Sequence, residues 1–399
     1  MLEMMNFSNT PNLPPIILEP SVEYIQAQQS VVMYLHRPTG NLYGYGNAPV
    51  YRFGDGIPTE VPSFKPIYSN CKYFWLGQAS TLVATNDDKF YYAGIRNAFP
   101  PLGTGGGNVA YFTEVTVHFN NIGVTPDDIK TLALGSGSCR LLTKDGRVFC
   151  CGLNSNGECG NGTRNMIANF VQITSMGPIS QLATRAFGTH FLTEDGREFF
   201  AGYDAYGESG LGALNSHLQT PTLVTSGVKN IIVATVCTWR IMQNGDVYWS
   251  GLNTQGSAGT GSFNNAGTVL RPIKNDALSG NLPEGDLLYP SGIQTGDATG
   301  APIICFGRNT IKNGGENGSG QVGDGVSYTS VYNYVDMYKP LSFEDKRVIG
   351  VAKDYVRSFI LTEDYQLFAA GGRTASGWTL PDGGSSITPM RLMTNMPWY

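Results

Sequence analysis

The sequence predicts an all-β fold, a seven-bladed β-propeller. Three observations predict it: an internal repeat near fifty residues, a hairpin signal at one fixed place in each copy, and a glycine closing the strand that follows. Residues 141–162 read LLTKDGRVFCCGLNSNGECGNG and residues 191–212 read FLTEDGREFFAGYDAYGESGLG. Residues 241–261 read IMQNGDVYWSGLNTQGSAGTG, and 360–373 return a worn copy, ILTEDYQLFAAGGR. A repeat of this length implies stacked or ringed units that bury their faces against one another.

Each copy opens on a short apolar strand, 141–143 or 191–193. It then turns at Asp145-Gly146, Asp195-Gly196 or Asn244-Gly245. These dipeptides predict a two-residue type I′ hairpin, in which both central residues have positive φ. A second strand rich in aromatic and β-branched residues follows, as in Val247-Tyr248-Trp249. It ends at a glycine, where a β-carbon is expected to collide with a neighbouring unit. That glycine is read as Gly46, Gly94, Gly152, Gly202, Gly251, Gly307 and Gly371. Seven copies fit a propeller, whose radial repetition leaves only short edges; six copies with one decoy is the alternative count. Thr388-Pro389-Met390-Arg391-Leu392 matches the interblade strand Thr220-Pro221-Thr222-Leu223-Val224, yet no unit follows it. The ring is therefore expected to close by pairing of the chain ends, with the C-terminal strand completing the first blade. Residues 22–399 form the propeller. Residues 1–21, with Pro11, Pro14, Pro15 and Pro20 (which exclude a helix), form an extended arm.

Composition narrows the function classes. The 399 residues carry a net charge of −5, and only 14% are charged. Residues 1–20 contain no Lys or Arg, so the basic patch or tail of a nucleic-acid binder is not expected. No signal peptide is read at the N-terminus, and no stretch has the length of a membrane span. Seven cysteines, mostly on predicted strands (Cys139, Cys150, Cys151, Cys237, Cys305), read as buried reduced thiols.

No constellation of catalytic or metal-binding residues stands out. His36, His118, His190 and His217 share no ligand spacing. Asp145, Asp195 and Asn244 recur as turn residues, and Glu158 and Glu208 sit at matching places in glycine-rich turns, so all five read as structural. Gly103–Gly107 lacks the ending of a phosphate loop. Residues 313–325, with Glu316 and Asp324 among glycines, read as an interblade turn rather than a calcium loop. Trp249 reads as a blade-core aromatic by alternation. Neither a metal nor a cofactor is expected, and the protein is read as no enzyme. Specificity on repeat scaffolds lies in irregular segments, here 95–130, 262–300 and 309–347. The last holds Tyr328, Tyr332, Tyr334 and Tyr338, a candidate interface, to which the arm residues Pro11, Pro14 and Pro15 are added.

The segments TKDGRVFCCGLNSNGECGNG (143–162) and TEDGREFFAGYDAYGESGLG (193–212) resemble the regulator of chromosome condensation repeat family. The resemblance spans roughly 22–399 and is strongest in the third to fifth copies. It implies a seven-bladed propeller. The family's frequent histidine upstream of the threonine is absent, with Ser138, Gly188, Cys237 and Arg357 in its place.

Two functions are expected. One is a non-enzymatic scaffold within a larger assembly of protein subunits: a structural or host-attachment component of a phage virion, in tail, baseplate or capsid, with a possible host surface receptor. The texture resembles virion versions of the repeat. The other is a cytoplasmic regulator that binds a small GTPase and promotes nucleotide exchange, as the founding family member does.

Overall fold

In the computed structural model the described residues lie between Tyr24 and Met393, excluding 261–268, most of 276–303, 326–330, 373–386 and scattered turn positions. The strands form four-stranded antiparallel sheets, each from four strands consecutive in the chain. The sheets span 25–68, 71–114, 129–173, 179–225, 228–274, 287–336 and 348–392. The protein is thus an all-β propeller. Its blades are unequal, and six full blades stand where seven were expected. Six sheets are full; the one over 287–336 is reduced, with strands of two residues (Leu287–Leu288) and three (Ile304–Phe306).

The first strand of each sheet lies innermost, because first strands of neighbouring sheets touch one another. The fourth strands are outermost and largely exposed, as Ser216–Thr225 shows. Connections between first and second strands, and between third and fourth, therefore share one end of the propeller. Hairpin turns and intersheet links share the other. Side chains stitch adjacent inner strands together. The Gln26 amide donates to Phe74 O (3.0 Å) while its oxygen accepts from Leu76 N (2.7 Å). Gln181 treats Ile231 the same way, at 2.6 and 2.8 Å.

Closure by pairing of the chain ends is corrected. Ile387–Leu392 pairs with Leu367–Gly371 in the last sheet, and Ile25–Gln28 opens the first sheet by itself. The two sheets instead meet face to face. A β-carbon on Gly350 would come within 2.8 Å of Ile25 Cγ2, and buried Arg357 donates to the Tyr45 hydroxyl across the seam.

The strand-ending glycines have a different cause from the one expected. Gly46, Gly94, Gly152, Gly202, Gly251 and Gly371 all take φ between 102° and 120°. A β-carbon on Gly202 would lie 2.3 Å from Phe187 O, and on Gly152 2.3 Å from Gly137 O. The obstacle is backbone of the same sheet, not of a neighbour, and the ladder shifts register at each of these residues. The same shift in the reduced sheet falls at Gly315, paired with Val331. Gly315, not Gly307, is therefore the sixth glycine: Ile304–Phe306 is a second strand, and Thr310–Gly315 is the third.

The hairpins are also not type I′. Only Gly146, Gly196 and Gly245 have positive φ (84°, 83° and 84°), while Asp145, Asp195 and Asn244 do not. Gly146 N donates to Thr143 O (3.0 Å) and Thr143 N to Arg147 O (2.9 Å), a tight turn followed by a left-handed glycine. The cysteine expectation is corrected for one pair. Cys150 and Cys159 form a disulfide, because the loop after the third strand folds back onto it; Cys71, Cys139, Cys151 and Cys237 are buried and lie outside that disulfide.

Candidate interaction face

The two ends of the propeller differ in chemistry. At the turn end, polar residues are spent on turn geometry, and the charged ones remain in solvent. The Thr193 hydroxyl donates to Asp195 Oδ1 (2.5 Å), and Arg197 Nε donates to the same carboxylate (2.9 Å). That hydroxyl first, and then the arginine, hold the Asp195 carboxyl below its ordinary range; Asp145 is held in the same way by Thr143 and Arg147.

At the opposite end, the loops after the third strands turn their polar groups inward. Asn154, Asp204, Asn253 and Asn317 each accept, through Oδ1, the backbone N–H five residues on, at 2.9, 3.2, 2.9 and 2.8 Å. Glu158 and Glu208 accept from Asn156 N (3.0 Å) and Tyr206 N (2.7 Å) and are both 3% exposed. These residues cap loops and meet no solvent. The segment 317–323 is the same loop in the reduced sheet; Glu316 lies outside the described residues.

With the polar groups inside, apolar side chains stand outside. Leu153 and Met166 in the third sheet, and Phe187, Tyr206 and Leu214 in the fourth, are all exposed at this end, Phe187 by 51%. Leu153 covers Gly137, where a β-carbon would come within 2.2 Å of its Cδ1. The loop carrying Gly157 and Gly162 abuts the outer strand of the fourth sheet, with Gly162 N donating to Gln219 O (2.9 Å). Among the described residues of this end in the third to fifth sheets, Arg164 is the one exposed charge. An exposed apolar patch on two adjoining blades, poor in charge, has the composition of an interface core. No motif announced these residues. The legible signal was an apolar residue beside the structural glycine, as in Gly152-Leu153 and Phe187-Gly188.

Beneath this face, between the fourth and fifth sheets, lies a sealed ionic cluster. Arg240 Nε donates to Glu198 Oε2 (2.5 Å), and His190 Nδ1 lies 2.8 Å from Glu198 Oε1, all three side chains fully buried. Burial opposes the Glu198 charge, yet Arg240 and His190 outweigh it and hold its carboxyl below the usual range. The remaining Arg240 donors reach Ser250 Oγ (2.8 Å) and Ser209 O (2.9 Å). The cluster locks two blades together.

The tyrosine cluster expected from sequence is only partly described. Tyr338 is exposed, on the turn end; Tyr332 and Tyr334 lie in the strand Val331–Asp336. Tyr328, Pro11, Pro14 and Pro15 lie outside the described residues. The histidines are dispersed: His36 faces the Thr39 hydroxyl (2.8 Å), His118 edges Phe99, and His217 stacks on Tyr203. Trp249 is buried, at 5% exposure. Among the described residues no group of three or more His, Cys, Asp or Glu could hold a metal, and no helix is long and apolar enough to cross a membrane.

Comparison with known proteins places the repeat. The regulator of chromosome condensation (RCC1) repeat family matches residues 129–158, the first three strands of the third sheet and the start of the loop after them. The protein is an RCC1-like propeller. Its fold is similar to that of yeast RCC1 (Prp20) solved bound to Kap60, with a TM-score of 0.71 at 14% identity over 94% of this chain and 86% of that one. Human WBSCR16 is similar at a TM-score of 0.65 and 19% identity, over 86% of each chain. A second Saccharomyces cerevisiae Prp20p structure, described together with binding to Gsp1p and histones, gives 0.61 at 14% identity over 83% and 80%. Likeness at these identities shows the fold alone. In sequence, 150 residues are 33% identical to the X-linked retinitis pigmentosa GTPase regulator of Canis lupus familiaris, 36% of this chain and 14% of that protein. The RCC1-like chain thus spans a small part of the length of that relative.

Proposed function

We propose that this RCC1-like propeller is a non-enzymatic regulator that binds a small GTPase through the face formed by Leu153, Met166, Phe187, Tyr206 and Leu214. The carrying observation is the inward turn of Asn154, Glu158, Asp204 and Glu208, which leaves that face, among the described residues, apolar and nearly uncharged. The choice of partner is supported by the sequence likeness to a GTPase regulator. The expectation of a structural or host-attachment component of a virion has less support: none of the relatives named above is a virion protein, and its arm residues lie outside the described structure. As part of the same proposal we read the reduced sheet as the sixth of seven ring positions, and the protein as cytoplasmic.

Calorimetry of the full chain against a panel of small GTPases stripped of nucleotide tests the reading. A sub-micromolar complex with one of them is expected, abolished by Phe187→Asp with Tyr206→Asp. Silence across the panel, or a complex indifferent to the double change, would sink it.

A further inference from the structure

We propose that a cleft at the outer corner between the first and second sheets, on the turn end, binds a neutral saccharide. The cleft holds about 590 Å³, within the range of small-molecule sites. Tyr68, at the end of an outer strand, and Tyr91, in a third strand, wall it. Their ring centres lie 5.6 Å apart at 45°, and Phe112 props Tyr68 edge-on at 4.9 Å. Two tyrosines so braced lose little freedom when a ligand lies against them.

The polar rim is fixed in advance. Asn41, Asn70, Thr85 and Asp87 line it. Asn70 sits in the left-handed region (φ 59°), donates its amide N–H to Asp87 Oδ1 (3.1 Å) and accepts from the Asn86 amide (2.9 Å). The Thr85 hydroxyl first, then Lys89 and Asn70, keep the Asp87 carboxyl below its ordinary range, so it is a permanent acceptor. The amides and the carboxylate together offer both donors and acceptors.

The choice of ligand follows by elimination. No Lys or Arg lines the cleft, so an anion finds no counter-charge. A purely apolar ligand would cover the accessible Asn41, Asn70 and Asp87 without bonding them, which costs affinity. A pyranose presents a C–H face to an aromatic ring and hydroxyls at its edge to amides and a carboxylate, and satisfies both halves of the site.

The test titrates the full chain with neutral mono- and disaccharides terminating in glucose, galactose, mannose or N-acetylglucosamine, read by saturation-transfer NMR and intrinsic fluorescence. At least one is expected to saturate in the millimolar range or below. Tyr91→Ala should weaken it by about tenfold or more, and Asn41→Ala several-fold with an unchanged melting temperature. Failure of every sugar to saturate, or full binding by both variants, overturns the proposal. The cleft lies at the end opposite the apolar face, so neither outcome bears on GTPase binding.

Discussion

One repeat makes both ends of this propeller, and the ends carry opposite surfaces. At the turn end, buried Thr193 and solvent-facing Arg197 hold Asp195 in water. At the loop end the acidic residues Glu158, Asp204 and Glu208 are buried as caps, and Phe187 and Tyr206 face solvent. A two-residue reversal satisfies itself with local side chains. A loop of about ten residues must feed its backbone N–H groups from within, so its polar side chains point inward. The charge-rich end is therefore consumed by structure, and the charge-poor end is available for contact.

The largest expected effect attacks the support beneath the loop end. Arg240→Ala leaves the buried Glu198 carboxylate with His190 alone and should cost about 3–5 kcal/mol, read by urea unfolding. The same cluster predicts acid sensitivity. The folded pKa of Glu198 is depressed, so its stabilisation is present above the ordinary carboxyl range and disappears as pH falls through the folded value. An acid-unfolding midpoint equal in wild type and Glu198→Gln would contradict this.

Next in size is Gly202→Ala, whose β-carbon would meet Phe187 O at a φ of 120°. It should cost about 1–3 kcal/mol and displace Phe187, so stability and partner binding fall together. Loss of stability with binding intact would remove Phe187 from the interface.

Smaller in stability but sharper for the comparison is the pair Phe187→Ala and Arg197→Ala. Each should leave stability within about 0.5 kcal/mol. Partner affinity should drop by about 2 kcal/mol for the first and hold for the second. The reverse pattern would move the interface to the turn end. The smallest effect belongs to Asp88, an exposed residue at φ 59° in the place the third to fifth hairpins give to glycine. Asp88→Gly should raise stability by up to about 1 kcal/mol in thermal unfolding, since its exposed pairing with Lys72 (3.4 Å) contributes little.

Much of this was legible in the sequence, and the misses share a cause. Hairpins with Asp-Gly or Asn-Gly located the central strand pair of the third, fourth and fifth sheets, while the first strand of each, such as Ile129–Leu134, precedes the strand read as opening the unit. Where that signal fails, at Leu287–Asp336, the strand-ending glycine was placed at Gly307 although the ladder puts it at Gly315. The disulfide was hidden for a related reason, since a spacing of nine residues says nothing until the loop folds back. The apolar face escaped because single apolar residues in polar loops carry no period.

By itself the sequence determined the repeat, the hairpin at the centre of each regular unit and the class of fold, because turn dipeptides, alternation and glycine spacing act over a few residues. Only the tertiary structure decided how the ends meet, which glycines answer to their own backbone, and which end is apolar. Those depend on contacts such as Gly350 with Ile25 and Thr189 with Glu158 O, between units that lie side by side in space and carry no mark of it in the chain.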